Sequence, residues 1–448
     1  WTSKGNPDVG VQISLTAQSV MSSFDVQDVL GPSRDVVDAE KAQKLAEALE
    51  TAGAITRIRL TGKSFTQEGA AIVAAVLEKI TTLVEVDISD IIASRPESEG
   101  LEVLRTFSGA LVASKGTIVE LNLSDNALGE KGLRACEALL SEFESLRRLY
   151  LCNNGLSAEA CEVIADLLLF RGEDQDVPLT VFHFHDNMCG DQGGIHLAKL
   201  VEKMTSVESL RFSKTRCGRE GCEALAAAVA KCENLREAFF EDISFGAEGT
   251  SILARSLEQC TKLRYLDLRD ALLEEEGAED LLEMLASDVP ELAFLDLSGN
   301  DLTAGTVERV VSTLNEKPHL AYLALDDNEI GNLGAFLLGK ACTTPGFFPA
   351  LTTVSCKSCD ITSTGAHFLV HAGAIRKLKS ILLDGNAINE ITLEKCESIL
   401  EDAGGMEVLG SLEDNDPEGE EDPDDEGIEE ITSFDWSSLY AYSNSDSV

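Results

Sequence analysis

The hexapeptide LNLSDN, Leu121–Asn126, returns as LYLCNN at 149–154, FHFHDN at 182–187, LDLRDA at 266–271, LDLSGN at 295–300 and LALDDN at 323–328. Weaker copies fill the gaps. The last residue of each copy is a marker, and the markers fall at Lys63, Ile91, Asn126, Asn154, Asn187, Thr215, Ile243, Ala271, Asn300, Asn328, Cys359 and Asn386. Most steps are 28 residues, and the longest, from Ile91 to Asn126, is 35. Each L-x-L-x-x-N run is followed by a segment such as GEKGLRACEALLSEF (129–143), whose apolar residues recur at helical spacing. One strand and one helix per unit predict an α/β leucine-rich repeat solenoid, a ribonuclease-inhibitor-like horseshoe of about twelve repeats. A lone unit cannot bury its apolar face, so the stack is one long domain.

DAEKAQKLAEALETAG (38–53) predicts a helix capped by Asp38. The expected organisation is a partly ordered N-terminal linker or cap over 1–36, a repeat domain over 37–412 and a disordered acidic tail over 413–448. That tail holds 14 acids and no Lys or Arg, too charged to bury its own backbone. Its last aromatics, FDWSSLYAY (434–442), read as a docking motif or a packed end. Because the sequence opens at Trp1, a preceding segment with targeting information is expected.

Composition excludes several classes. The net charge is −43 over 448 residues, which disfavours nucleic acid, whose binding rests on neutralising phosphates. Basic proteins are the matching partners. No run approaches the roughly 18 apolar residues of a membrane span, so direct membrane insertion is not expected. The 12 cysteines form no compact framework, which points to reduced thiols in cytosol or nucleus.

Three stretches imitate chemistry. TGKSF (61–65) follows a strand and precedes a helix, but Arg57 stands where a phosphate-binding loop needs its first glycine. His183 and His185 share a strand face without a third ligand, and Cys356 and Cys359 occupy repeat core positions. No nucleophile elbow or zinc-binding helix appears.

The stronger signal is the column one residue before each marker: Asp90, Asp125, Asn153, Asp186, Lys214, Asp242, Asp270, Gly299 and Asp327. With parallel strands about 4.8 Å apart, the acids Asp90, Asp125, Asp186, Asp242, Asp270 and Asp327 form a rim stripe able to steer a basic partner. Asn153 breaks the stripe with a neutral amide. In the longest step, DIIASRPESEG (90–100) enlarges a loop from which Arg95 is expected to project, two strands from Asn153 and so roughly 10 Å away.

DISDIIASRPESEGLEVL (87–104), LNLSDNALGEKGLRA (121–135), LYLCNNGLS (149–157) and DNDPEGEE (414–421) together resemble the Ran GTPase-activating proteins, especially plant-type members, over about residues 24 to 425. The resemblance implies an activator that binds Ran-GTP and stimulates its hydrolysis without an arginine finger, in support of directional nucleocytoplasmic transport. Arg95 matches the required loop arginine, and Asn153 the rim asparagine that faces the GTPase site. GTP and Mg would be carried by the partner, so no cofactor of its own is implied. A Ran-binding protein is a further implied partner. Cytoplasm and the cytoplasmic face of the nuclear envelope are the implied locations. Ser94 stands where the family commonly has glycine, and the Trp-Pro-Pro targeting motif does not occur in these residues. The alternative is a binding module that holds a basic protein as ribonuclease inhibitor does.

Overall fold

A computed structural model describes residues 22–169, 176–405, 409, 412, 414–416, 418–419 and 427–434. Among the described residues, thirteen short strands lie side by side in one sheet in chain order, every adjacent pair parallel. The helices between them pack on one another in the same order. Strands alternate buried and partly exposed residues, as in Glu120–Asn122, where Leu121 is buried and its neighbours are half-buried. The buried leucines of each strand meet the apolar stripe of the helices, giving one continuous core from Phe24 to Leu400.

Where the marker is asparagine, its side chain locks the unit to the one before it. Asn126 Oδ1 accepts the Ile91 N–H at 2.9 Å, Asn154 Oδ1 accepts that of Asn126 at 2.9 Å, and Asn187 Oδ1 accepts that of Asn154 at 3.1 Å. The Asn126 amide nitrogen donates to carbonyls of Ile88, Leu123 and Ser124. A buried backbone group without such a partner costs about 1–3 kcal/mol. Lys63 does the same work with a different group: wholly buried, its ammonium donates to Gly31 O at 2.7 Å and to Ser33 O. The lysine of TGKSF is therefore consumed by the scaffold.

Both ends of the array lie beyond the boundaries expected from sequence. At the N-terminus, Ser23–Asp25 is a strand paired with Arg57–Arg59, so the first strand of the sheet belongs to the segment expected to be a partly ordered linker or cap. Asp38 does cap the helix Ala39–Thr51, accepting from Lys41 N–H at 3.0 Å. At the C-terminus, Leu409 bridges to Ile381, and Asn415 Oδ1 accepts the Asn386 N–H at 2.7 Å. Leu409, Leu412 and Asn415 are thus a further copy of the repeat, hidden by the acids around them, and the boundary at 412 cuts through it.

The helix Ile428–Ser433 corrects the expectation of a wholly disordered tail. It lies against the helices Gly331–Thr343 and Ser363–Arg376. Ile431 is buried with Phe336 and Phe368, and the Phe434 ring sits 5.8 and 5.2 Å from theirs. Gly427, at φ 96°, approaches so closely that a Cβ would fall 2.4 Å from Leu333 N. A few apolar side chains suffice because they meet a preformed aromatic surface. Ile431→Asp is expected to undock this segment at a cost of about 2–3 kcal/mol. Limited proteolysis checks it: cleavage near residue 430 should be fast in the variant and slow in the wild type. Of the tail aromatics only Phe434 is described; Trp436, Tyr440 and Tyr442 lie outside the described residues.

Candidate functional site

Where each strand leaves the sheet, the chain turns through a left-handed residue, and this position is the column before the marker. Asp90, Asp125, Asn153, Asp186, Lys214, Asp242, Asp270 and Asp327 all have φ between 50° and 61°, and Gly299 has φ 66°. Only glycine enters this region freely; Asn and Asp follow it, because a short polar side chain bonds locally. The acid stripe thus has a backbone cause in addition to any electrostatic one. The rim is also tight: a Cβ on Gly299 would lie 2.1 Å from Asp270 Oδ1.

Within the column the acids differ. Asp90 is partly buried and forms an ion pair with Arg34. Burial raises its pKa, Arg34 opposes that, and Asp125 adds to it. Asp186 accepts a 2.7 Å contact from the His185 ring, and Asp125 accepts from Asn153. Asp270 is exposed beside Asp242 and Asp327; burial and then these like charges push its pKa up. Asp242 and Asp327 are exposed. Asp125, Asp186, Asp242, Asp270 and Asp327 therefore face solvent along one rim, whereas Asp90 is engaged within the chain.

Asn153 is held rigidly in a way that its sequence position did not reveal. Its N–H donates to His185 O at 2.8 Å, and its Nδ2 donates to Asp125 Oδ1, also at 2.8 Å. The second bond engages Nδ2, and among the described residues no donor reaches Oδ1 of this exposed side chain, which leaves it an acceptor. Asn154, one residue on, is fully buried and belongs to the marker ladder.

Arg95 corrects the expectation of a projecting side chain. The long step is shared between the loop and the helix Glu97–Leu111, which continues as a 3₁₀ turn through Ser114. Ser94 turns the chain at φ 61°, and the Arg95 N–H donates to Ile92 O at 3.0 Å. The arginine then folds back on the first helical turn: Nη1 is 3.7 Å from Glu99 Oε2, the side chain is 18% exposed, and Nε is buried without a partner. The physical reason is Glu99, four residues on, which also accepts the Gln67 N–H at 3.2 Å and so holds the loop to the preceding unit. Strand order places the units of Arg95 and Asn153 two strands apart, as the spacing required.

Sequence reasoning missed a cleft of about 500 Å³ that opens on the rim beside Asn153, lined also by Asp186, Met188, Lys214, Arg216 and Asp242. Lys214, the cation of the column, donates to Glu241 Oε1 at 2.9 Å. Met188 is 49% exposed. The available signal was Lys214, a lysine at a left-handed position that its neighbours fill with Asp, Asn or Gly.

The remaining imitations of chemistry are scaffold. His183 Nε2 lies 3.0 Å from Ser209 Oγ, and burial lowers its pKa to about 4. Cys356 and Cys359 are fully buried, and the Cys359 thiol donates to Leu325 O at 3.0 Å. Among the described residues no group of three or more His, Cys, Asp or Glu is arranged to hold a metal, and no helix is long and apolar enough to cross a membrane.

The leucine-rich repeat profile matches residues 117–135 and 316–339. Ran GTPase-activating protein 1 of Arabidopsis thaliana is 46% identical over 126 residues, 28% of this chain and 23% of that protein. The ribonuclease inhibitor of Sus scrofa is 30% identical over 141 residues, 32% of this chain and 28% of that one. Ran GTPase-activating protein 2 of Arabidopsis thaliana is 37% identical over 397 residues, 88% of this chain and 71% of that protein. Likeness sustained over the whole array, rather than over a few repeats, places this chain in the Ran GTPase-activating protein family.

Proposed function

We propose that this protein binds Ran in its GTP form along the rim and stimulates GTP hydrolysis from outside, with no catalytic centre of its own, in support of directional transport between nucleus and cytoplasm. The observation that carries the reading is Asn153: a rim amide fixed by Asp125, with its carbonyl oxygen free to accept from a partner. Set against a GTPase, such an acceptor orients a glutamine amide or a water, which is positional and electrostatic assistance. The nucleotide and its Mg²⁺ stay with Ran. Arg95 assists from its loop after leaving Glu99, a contact of 3.7 Å that is too long for a good hydrogen bond and so holds the guanidinium weakly. If the acceleration is about 10⁵-fold, the barrier falls by about 7 kcal/mol.

The exposed rim acids attract the basic surface of the partner and set its approach. Asp186, Asp242 and Asp270 changed together to Asn, which tolerates the left-handed turn, are expected to slow association several-fold and to flatten its salt dependence. The saturated hydrolysis rate should hold. The triple variant should be at least as stable at neutral pH: the folded-state pKa of Asp270 is raised, so its ionisation opposes folding from the ordinary carboxylate pKa upward and does so fully above the folded value. Stopped-flow association across a salt series checks the charge effect, and unchanged kinetics would assign the stripe to backbone conformation alone.

Single-turnover hydrolysis of GTP on purified Ran tests the function itself. Binding without acceleration would favour the second reading, a module that sequesters a basic protein, which the local similarity to ribonuclease inhibitor supports.

A further inference from the structure

From the cleft beside Asn153 we infer a docking point for a carboxylate on the surface of the partner GTPase, made by Arg216 with Met188; the inference rests on the function proposed above. Acids outnumber Lys and Arg by 79 to 36 in this chain, and its other described arginines each find a carboxylate or a carbonyl. Arg216 does not. Among the described residues it is the one arginine without an ion pair, hydrogen bond or ring contact, although Asp186 and Asp242 line the same cleft. It stands exposed at φ 54°, where the corresponding residue of the Asn153 unit is Gly155 at φ 62°.

Nearby groups that would compete for an anion are already occupied. Lys214 is committed to Glu241 at 2.9 Å. The N-terminus of the helix Arg219–Ala228 is capped from the preceding unit, where Asp191 Oδ1 accepts the Gly221 N–H at 2.9 Å. What remains open is a guanidinium fork, suited to a carboxylate in two-point contact, next to an exposed thioether that adapts to an apolar neighbour.

The arrangement solves a problem that the acid stripe creates. A basic surface drawn to a row of similar acids has no preferred register along it. A free cation set among those acids rejects the misplaced alignments, which put like charges together, and rewards the one that brings a carboxylate to Arg216. Its unit is two strands from that of Asn153, about 10 Å along the rim. Arg216 therefore positions the partner and takes no part in the bond being broken.

The test is a titration of Ran-GTP with full-length protein, read as KM and saturating hydrolysis rate. Arg216→Glu is expected to raise KM about tenfold, the scale of losing a charge-assisted contact, with the saturating rate within about twofold. Met188→Ala should raise KM about threefold for lost packing. Arg255→Glu, on the outer helix Gly246–Leu257, makes the same change in net charge and should leave KM as it is. Melting temperatures equal to wild type establish that the variants are folded; for a variant that melts early, Arg216→Ala gives the same reading. Unchanged KM in a folded Arg216 variant, an equal rise in Arg255→Glu, or a fall in saturating rate at constant KM would each overturn the docking role. Failure of the wild-type protein to stimulate Ran at all would instead overturn the function on which it rests.

Discussion

Arg95→Ala is expected to remove about 10²-fold or more of the stimulation of Ran GTP hydrolysis, the scale of misplacing the reacting groups by about 1 Å, while the repeat array stays folded. The structure separates these two outcomes. The guanidinium makes one ion pair at 3.7 Å, to Glu99, in a side chain 18% exposed. Its Nε has no partner, so truncation removes a polar atom that is unsatisfied as the chain stands. Stability should therefore change by less than about 1 kcal/mol. The loop itself is held by other groups: Arg95 N–H to Ile92 O, and Glu99 to the Gln67 N–H, neither of which needs the side chain. Arg95→Lys should restore little, because an ammonium keeps the charge and loses the planar fork. A single-turnover assay beside a thermal melt decides. Full stimulation by a folded Arg95→Ala would remove the loop from the mechanism.

The repeating hexapeptide made the sheet, the helices and the marker ladder legible, because each is dictated by a period the chain repeats. Its failures are local and have physical causes. Asn415 was obscured by the acids that surround it, though its side chain does what Asn386 does one unit earlier. Ser23–Asp25 carries too short an apolar pattern to announce a strand; it pairs because Arg57–Arg59 offers it an edge. Helix 428–433 was unreadable for the opposite reason: its apolar content is negligible until Phe336 and Phe368 are in place. At the rim the column is legible from the marker spacing, but its backbone cause is not, since left-handed φ selects Asp and Asn before any partner does. The direction of Arg95 depends on one contact with Glu99, and the freedom of Arg216 on contacts not made. Neither leaves a trace in spacing.

Asn153 and Asn154 are adjacent, chemically identical and expected to fail in opposite ways. Asn154→Ala removes the acceptor of the Asn126 N–H and a donor to Leu123 O, both within the buried ladder. Stranding these groups costs about 3 kcal/mol, and in a solenoid the weakness is felt by the units on both sides. Stimulation per folded molecule should survive. At Asn153 alanine is an ambiguous probe, since a Cβ-bearing residue without a polar tip pays about 1 kcal/mol at φ 50°. Asn153→Gly is the cleaner one: it relaxes into the left-handed turn and removes the 2.8 Å bond to Asp125 together with the acceptor carbonyl. It is expected to melt within a few degrees of wild type and to lose about tenfold to a hundredfold in saturating stimulation. Asn153→Asp keeps an acceptor oxygen but sets a second carboxylate against Asp125, so it should recover part of that loss at most. A thermal melt and a hydrolysis assay on the three variants form a closed test. Full stimulation by Asn153→Gly would refute the amide as the assisting group, and an unshifted melt for Asn154→Ala would refute the ladder as what joins the units.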